Sequence, residues 1–262
     1  MSMADALYRE ELPGLVASGE VGIGEIDTAV REVLGAKYDM GLFHDPFRRI
    51  GSAEDDPADV NAESRLHREA ARAVARESIV LLENKKQTLP LQKRGTIALV
   101  GPLADSPVDM MGSWSAAGVA KQSVTVRQGL LDAVGDEAVV HHALGANITD
   151  DPHMVEYLNF LNWDKPEVVQ DPRSPDAMIA EAVALAEKAD VIVAAVGESR
   201  GMSHEASSRT SLQIPESQQA LLRALKKTGK PLVLVLMNGR PLDLHWAKAN
   251  ADAVVETWFS GT

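Results

Sequence analysis

The run Val191 to Val196 reads V-I-V-A-A-V with no polar interruption, and is bounded by Asp190 and Gly197. A short, β-branched apolar run between such residues predicts a strand buried on both faces, as in a parallel sheet covered by helices. The same logic marks strands at Thr96–Val100, Ala138–Ala143, Leu232–Met237 and Ala253–Thr257. Helical patterns fall between them at Val124–Val134, Pro175–Lys188 and Leu242–Ala247. Another begins at Pro215, with Glu216 in its first turn, Lys226 and Lys227 in its last and Gly229 just beyond. Strands that alternate with helices in this way predict an α/β fold with a doubly wound, mainly parallel sheet.

The flanks of this pattern predict the domain organisation. Residues 1–50 read as two helices, Ala6–Ala17 and one carrying Ile26, Ala29, Val30, Val33, Leu34 and Tyr38 on one side. With no strand between them they cannot build a core alone, so they belong to something else. Residues 51–63, G-S-A-E-D-D-P-A-D-V-N-A-E, read as a linker. A long helix is expected from Glu63 to Leu82, T-L-P-L at 88–91 as a short extended piece, and 144–173 as a polar excursion outside the sheet. The α/β domain then occupies 64–262.

Composition excludes several functions. A formal charge of −12 argues against a nucleic-acid or anionic-membrane partner, since either calls for a basic face. There is no cysteine, hence no disulfide and no thiol catalysis. No apolar run approaches the roughly 20 residues that span a bilayer, and the first residues carry no signal-peptide pattern. G-P-L-A-D-S at 101–106 follows a strand but lacks both phosphate-loop glycine patterns. His141 and His142 are adjacent on a strand and so point to opposite faces, which prevents them from sharing a metal. No cofactor or metal is expected.

The chemistry concentrates after the strand 191–196. In an α/β sheet, ligands bind where loops leave the carboxyl ends of strands. Here that loop is long, polar and rich in charge: Glu198, Arg200, His204, Glu205 and Arg209. Ordering such a loop costs entropy, so it needs a function. Glu205, between His204 and Arg209, fits a carboxyl of controlled orientation; Glu198 at the strand end is the competing acid. Trp114, in the small-residue loop M-G-S-W-S-A-A-G, reads either as interdomain packing or as a platform for a sugar ring.

Taken together, these stretches resemble family 3 of the glycoside hydrolases, its bacterial periplasmic members above all. The likeness rests on I-D-T-A-V-R-E-V-L-G-A-K-Y-D-M-G-L-F, N-A-E-S-R-L-H-R-E-A-A-R, G-P-L-A-D-S, G-S-W-S-A-A-G, H-E-A-S-S-R-T and M-N-G-R-P-L, in order along nearly the whole chain. It implies that 1–50 are the last helices of a (β/α)8 barrel and that 64–262 form a six-stranded α/β sandwich, cut short at its end. The family's nucleophile is an aspartate in S-D-W or S-D-Y on the barrel, and neither motif occurs here. The resemblance puts the acid/base role on Glu205, although Ala206 and Ser208 stand where Gly and Asp are commoner. It places Trp114, His204 and Arg209 as substrate contacts, and leaves the Gly239-Arg240-Pro241 turn a structural role.

The implied activity is retaining exo-β-glucosidase in the periplasm, acting on a β-glucoside or short β-gluco-oligosaccharide together with the absent barrel. A homodimer is left open, and the fragment alone is expected to be inactive. β-Xylosidase or β-N-acetylglucosaminidase activity, and a non-catalytic sugar- or protein-binding domain, are the alternatives.

Overall fold

The computed structural model describes residues 6–48, 50, 57–115, 118–160 and 168–261, with the backbone alone at 57–63. By contacts the chain divides into two compact units, Met1–Glu63 and Ser64–Thr262. The first holds helices α1 (Leu7–Ser18) and α2 (Ile23–Asp39). Helix α1 stops where Gly19 adopts φ 79° and its N–H bonds Val16 O, a left-handed C-terminal cap that glycine adopts without strain. Neither helix buries a residue, and Ile23, Val30, Leu34, Tyr38 and Phe43 are all exposed.

Helix α3 runs from Pro57 to Ser78, so it begins inside the stretch read as linker and ends earlier than expected. The residues predicted to continue it to Leu82 instead form strand β1 (Val80–Asn84). That strand pairs antiparallel with β6 (Ala253–Glu256), a long-range partner that outweighs the local helical pattern. The T-L-P-L segment joins no strand. The remaining elements are β2 (Gly95–Val100), α4 (Pro107–Met110), α5 (Val126–Val134), β3 (Ala138–Ala143), α6 (Pro152–Phe160), α7 (Pro175–Glu187), β4 (Val191–Gly197), α8 (Glu216–Lys226), β5 (Leu232–Met237) and α9 (His245–Asn250). Pro215 caps α8 rather than opening it, and α6 lies within the excursion.

The sheet has six strands in the order β1-β6-β5-β4-β2-β3, parallel except for β1. Alternate residues of each apolar strand sort to its two faces. Ile192, Ala194 and Val196, with Leu232, Leu234 and Leu236, face Leu221, Leu222 and Leu225 of α8 and Ala182 and Ala186 of α7. Ile97, Leu99, Val193, Ala195 and Met237 face Leu103, Met110 and Val134 on the other side. Fully burying a side chain of this size contributes about 1.5–3 kcal/mol, so this double layer makes a rigid platform.

The strand order fixes where a ligand can sit. From β2 the chain moves outward to β3, then returns past β2 to β4 and continues to β5 and β6. The reversal lies between β2 and β4, and at such a switch point the loops leaving the strands part to form a crevice. Among the described residues, no helix is long and apolar enough to cross a membrane.

Candidate active site

The loops leaving β2 and β4 carry Trp114 and Glu205. The β2 loop cannot cradle a phosphate: Gly101 has φ 111° with its α-carbon pressed on Ala195 O, and Leu103 and Ala104 are fully buried beneath it. It instead delivers Trp114 to the surface, 73% exposed, with its indole edge-on to the imidazole of His204 at 6.4 Å between centroids. A tryptophan so exposed fills no core, and its face is open to a ligand. His204 thus joins the two loops.

The β4 loop opens with a charge cluster. Glu198 is fully buried. A buried carboxylate must be paired, and two guanidinium groups serve it: Arg209 Nη1 at 2.7 Å and Arg240 Nε at 3.1 Å. Arg209 also donates to Gln213 O at 3.2 Å. Arg209 is therefore occupied at the sheet end, and neither it nor His204 touches the Glu205 carboxylate. Burial decides this arrangement, because Glu198 has no access to water and Glu205 does.

Beyond the cluster, every carbonyl from Arg200 to Ser207 has a hydrogen-bond partner. Ser113 Oγ lies 2.5 Å from Arg200 O and 2.8 Å from Ser203 O, sharing its proton between them. Ser207 donates its hydroxyl to Gly201 O at 2.9 Å and its N–H to His204 O at 3.0 Å. Arg240 Nη2 donates to Met202 O, and to Ser207 O at 2.8 Å. Tyr157 donates to Ala206 O at 3.1 Å, and His204 Nδ1 lies 2.5 Å from Glu205 O. Below the loop, Asp109 accepts from Arg200 N–H at 2.8 Å.

Ala206 sits at φ 64°, a strained conformation for a residue with a side chain. It turns the chain so that Glu205 projects outward. The Glu205 carboxylate is exposed and has no hydrogen-bond or ion-pair partner among the described residues.

The positions that sequence reasoning missed are the holders: Ser113, Tyr157 and the clasping role of Arg240. Ser113 had a signal, since it adjoins Trp114 in a loop of small residues. Tyr157, 49 residues from its partner Ala206, had none. A cleft of about 740 Å³ opens on the other flank of the turn, lined by Asp150, Met154, Met202, Arg209 and Glu216. It does not include Trp114 or Glu205. Among the described residues, no three His, Asp or Glu side chains come together as a metal site. His142 is half-buried, and burial pushes its imidazole below the usual histidine range.

A family model for the glycosyl hydrolase family 3 C-terminal domain matches residues 79–262. The chain belongs to glycosyl hydrolase family 3. Within this family, a protein named periplasmic beta-glucosidase from Salmonella typhimurium is 63% identical over 262 residues, which is all of this chain and 34% of that protein. A beta-xylosidase from Formosa agariphila is 31% identical over 242 residues, covering 90% of this chain and 30% of its own. The crystal structure of a beta-glucosidase from Listeria innocua in complex with isofagomine matches 99% of this chain and 32% of its own. Its TM-score is 0.77 at 34% identity. The family 3 chain described here thus spans about a third of the length of the relatives it matches.

Proposed function

We propose that this chain supplies the general acid/base and part of the leaving-group subsite of a retaining exo-β-glucosidase, whose nucleophile is an aspartate on a family 3 barrel. The observation that carries the reading is the contrast at Glu205. Its backbone is fixed by hydrogen bonds on both sides, while its carboxylate is exposed and unpartnered at the switch point, on the loop that touches Trp114. A carboxylate held in this way is preorganised for a proton transfer and consumes no structural bond in making it.

In the proposed reaction the barrel carboxylate attacks the anomeric carbon as Glu205 protonates the departing glycosidic oxygen. Glu205 then removes a proton from the water that releases glucose. Retention requires the two carboxyl groups to stand about 5–5.5 Å apart. Trp114 offers the leaving sugar an indole face, and His204 braces that ring. Arg209 serves the site from behind, through Glu198. Glucose as the sugar and the periplasm as the location are supported by the name of the 63%-identical relative; the beta-xylosidase stands at 31%.

Glu205→Ala in the full-length enzyme tests the assignment. Turnover of cellobiose should fall by about 10²–10⁴-fold, whereas a dinitrophenyl β-glucoside, whose leaving group needs no proton, should still form the glycosyl-enzyme. Azide should then restore turnover and yield β-glucosyl azide. Rescue of Glu198→Ala but not of Glu205→Ala would transfer the role to the buried residue.

A further inference from the structure

We propose that Arg240 is the positioning residue of the acid/base turn, reaching Glu205 through the backbone rather than by contact. The inference rests on the acid/base reading of Glu205. Arg240 follows β5 and belongs to a different loop, yet its guanidinium joins three points of the β4 loop. Nε lies 3.1 Å from Glu198 Oε1 and 3.3 Å from Oε2, at the root of the loop. Nη2 donates to Met202 O, and to Ser207 O at 2.8 Å. Those two carbonyls bracket Ser203 to Ala206, the segment that carries the carboxylate. One planar group therefore closes the turn and pins it to the sheet end.

The turn depends on this clasp because it has little else. Within 203–208 only Ser207 is buried, and no large apolar side chain anchors the segment. Its order rests on hydrogen bonds, and only Arg240 among their donors holds both ends of the segment while also reaching Glu198. Arg209 cannot replace it, because its donors go to Glu198 and Gln213 O. Lysine cannot either, since a single ammonium has no fork with which to span a carboxylate and two carbonyls. Arg240 itself stays anchored from below, where Asn238 Nδ2 donates to Arg240 O at 2.8 Å and to the buried Glu256 at 3.1 Å.

Charge counting makes the idea testable without wrecking the fold. Glu198 has two cations, so Arg240→Gln leaves Glu198 and Arg209 as a neutral pair. Arg240→Lys keeps the charge and loses the fork. Both variants, with Glu205→Gln as control, should be assayed in the full-length enzyme on cellobiose and on a dinitrophenyl β-glucoside. A misplaced acid should lower kcat/KM for cellobiose by about 10–100-fold and leave the dinitrophenyl substrate within about threefold, with Tm shifted by less than about 6 °C. Amide exchange at 203–207 should accelerate in the 262-residue chain.

Equal losses on both substrates, no loss on either, or unfolding of both variants would overturn the proposal and leave Arg240 as structural cement. The acid/base reading fails separately: it falls if Glu205→Gln itself does not discriminate between the substrates. If Glu205→Gln discriminates and neither Arg240 variant does, the positioning role alone falls.

Discussion

Replacing Glu198 with Gln should unfold this chain at a markedly lower temperature without touching the proposed chemistry. The Glu198 side chain has 0% exposure, and the guanidinium side chains paired with it have 14% (Arg209) and 21% (Arg240). Glutamine has nearly the same shape, so the change removes charge and little volume. Two largely buried cations are then left facing one neutral oxygen. Breaking a buried pair by removing one partner costs about 3–5 kcal/mol. Both arginines retain an exposed edge and can relax toward water, which places the loss near the lower limit, about 3 kcal/mol. For a unit the size of Ser64–Thr262, each kcal/mol corresponds to about 2–4 °C, so Tm should fall by about 6–12 °C. Thermal unfolding followed by far-UV circular dichroism measures this directly. Arg240→Gln supplies the internal check: it leaves a neutral pair and should lower Tm by less. A Glu198→Gln chain within about 2 °C of the parent, or an Arg240→Gln chain less stable than Glu198→Gln, would refute the charge accounting.

Two further outcomes follow from the core. Burial, chiefly, raises the Glu256 carboxyl above its ordinary value, against the lowering by donors from Trp258 N–H and Asn238. The folded state therefore keeps this proton to higher pH than the unfolded chain does. Its stabilisation is complete below the unfolded value of 4.5 and is lost as pH rises through the folded one. Glu256→Gln should remove that part of the fall, read as a smaller Tm difference between pH 4.5 and pH 7 than in the parent. Gly197→Ala should prevent folding or cost more than about 3 kcal/mol, because φ is 137° and the added carbon would stand 2.0 Å from Met237 O, where β4 meets β5. A soluble Gly197→Ala chain with parental Tm would count against the register of these strands.

The parallel strands were legible because each is a continuous apolar run with a polar or glycine boundary, and burial on both faces leaves no other use for such a run. Strand β1 was not. In A-R-E-S-I-V-L-L-E-N no glycine or proline separates helix from strand, and the break at Ser78 follows from pairing with Ala253–Glu256, which are remote in sequence. The charge cluster was half legible. Glu198, Glu205 and Arg209 were visible as a group, but a sequence does not show which carboxylate loses its water. Once Glu198 is buried it takes Arg209 and Arg240, and Glu205 is released to the surface. The supports of the turn were least legible, since Ser113 and Tyr157 are about 90 and 50 positions away from the carbonyls they hold.

This division of labour between the two glutamates bears on how a shared active site can be assembled. On the proposed reading, the acid and the nucleophile stand on different domains yet must meet at about 5–5.5 Å, and a 1 Å error can cost about a hundredfold in rate. A mobile loop would pay its ordering entropy each time the site formed. The β4 loop pays it during folding: its carbonyls from Arg200 to Ser207 are already satisfied. What remains free is the Glu205 carboxylate. A rigid turn on a rigid sheet also concentrates any misplacement in the relation between the two domains. Loss of Trp114 or Glu205 should therefore impair the reaction locally, whereas loss of Glu198 should act on the stability of the sheet end that carries them.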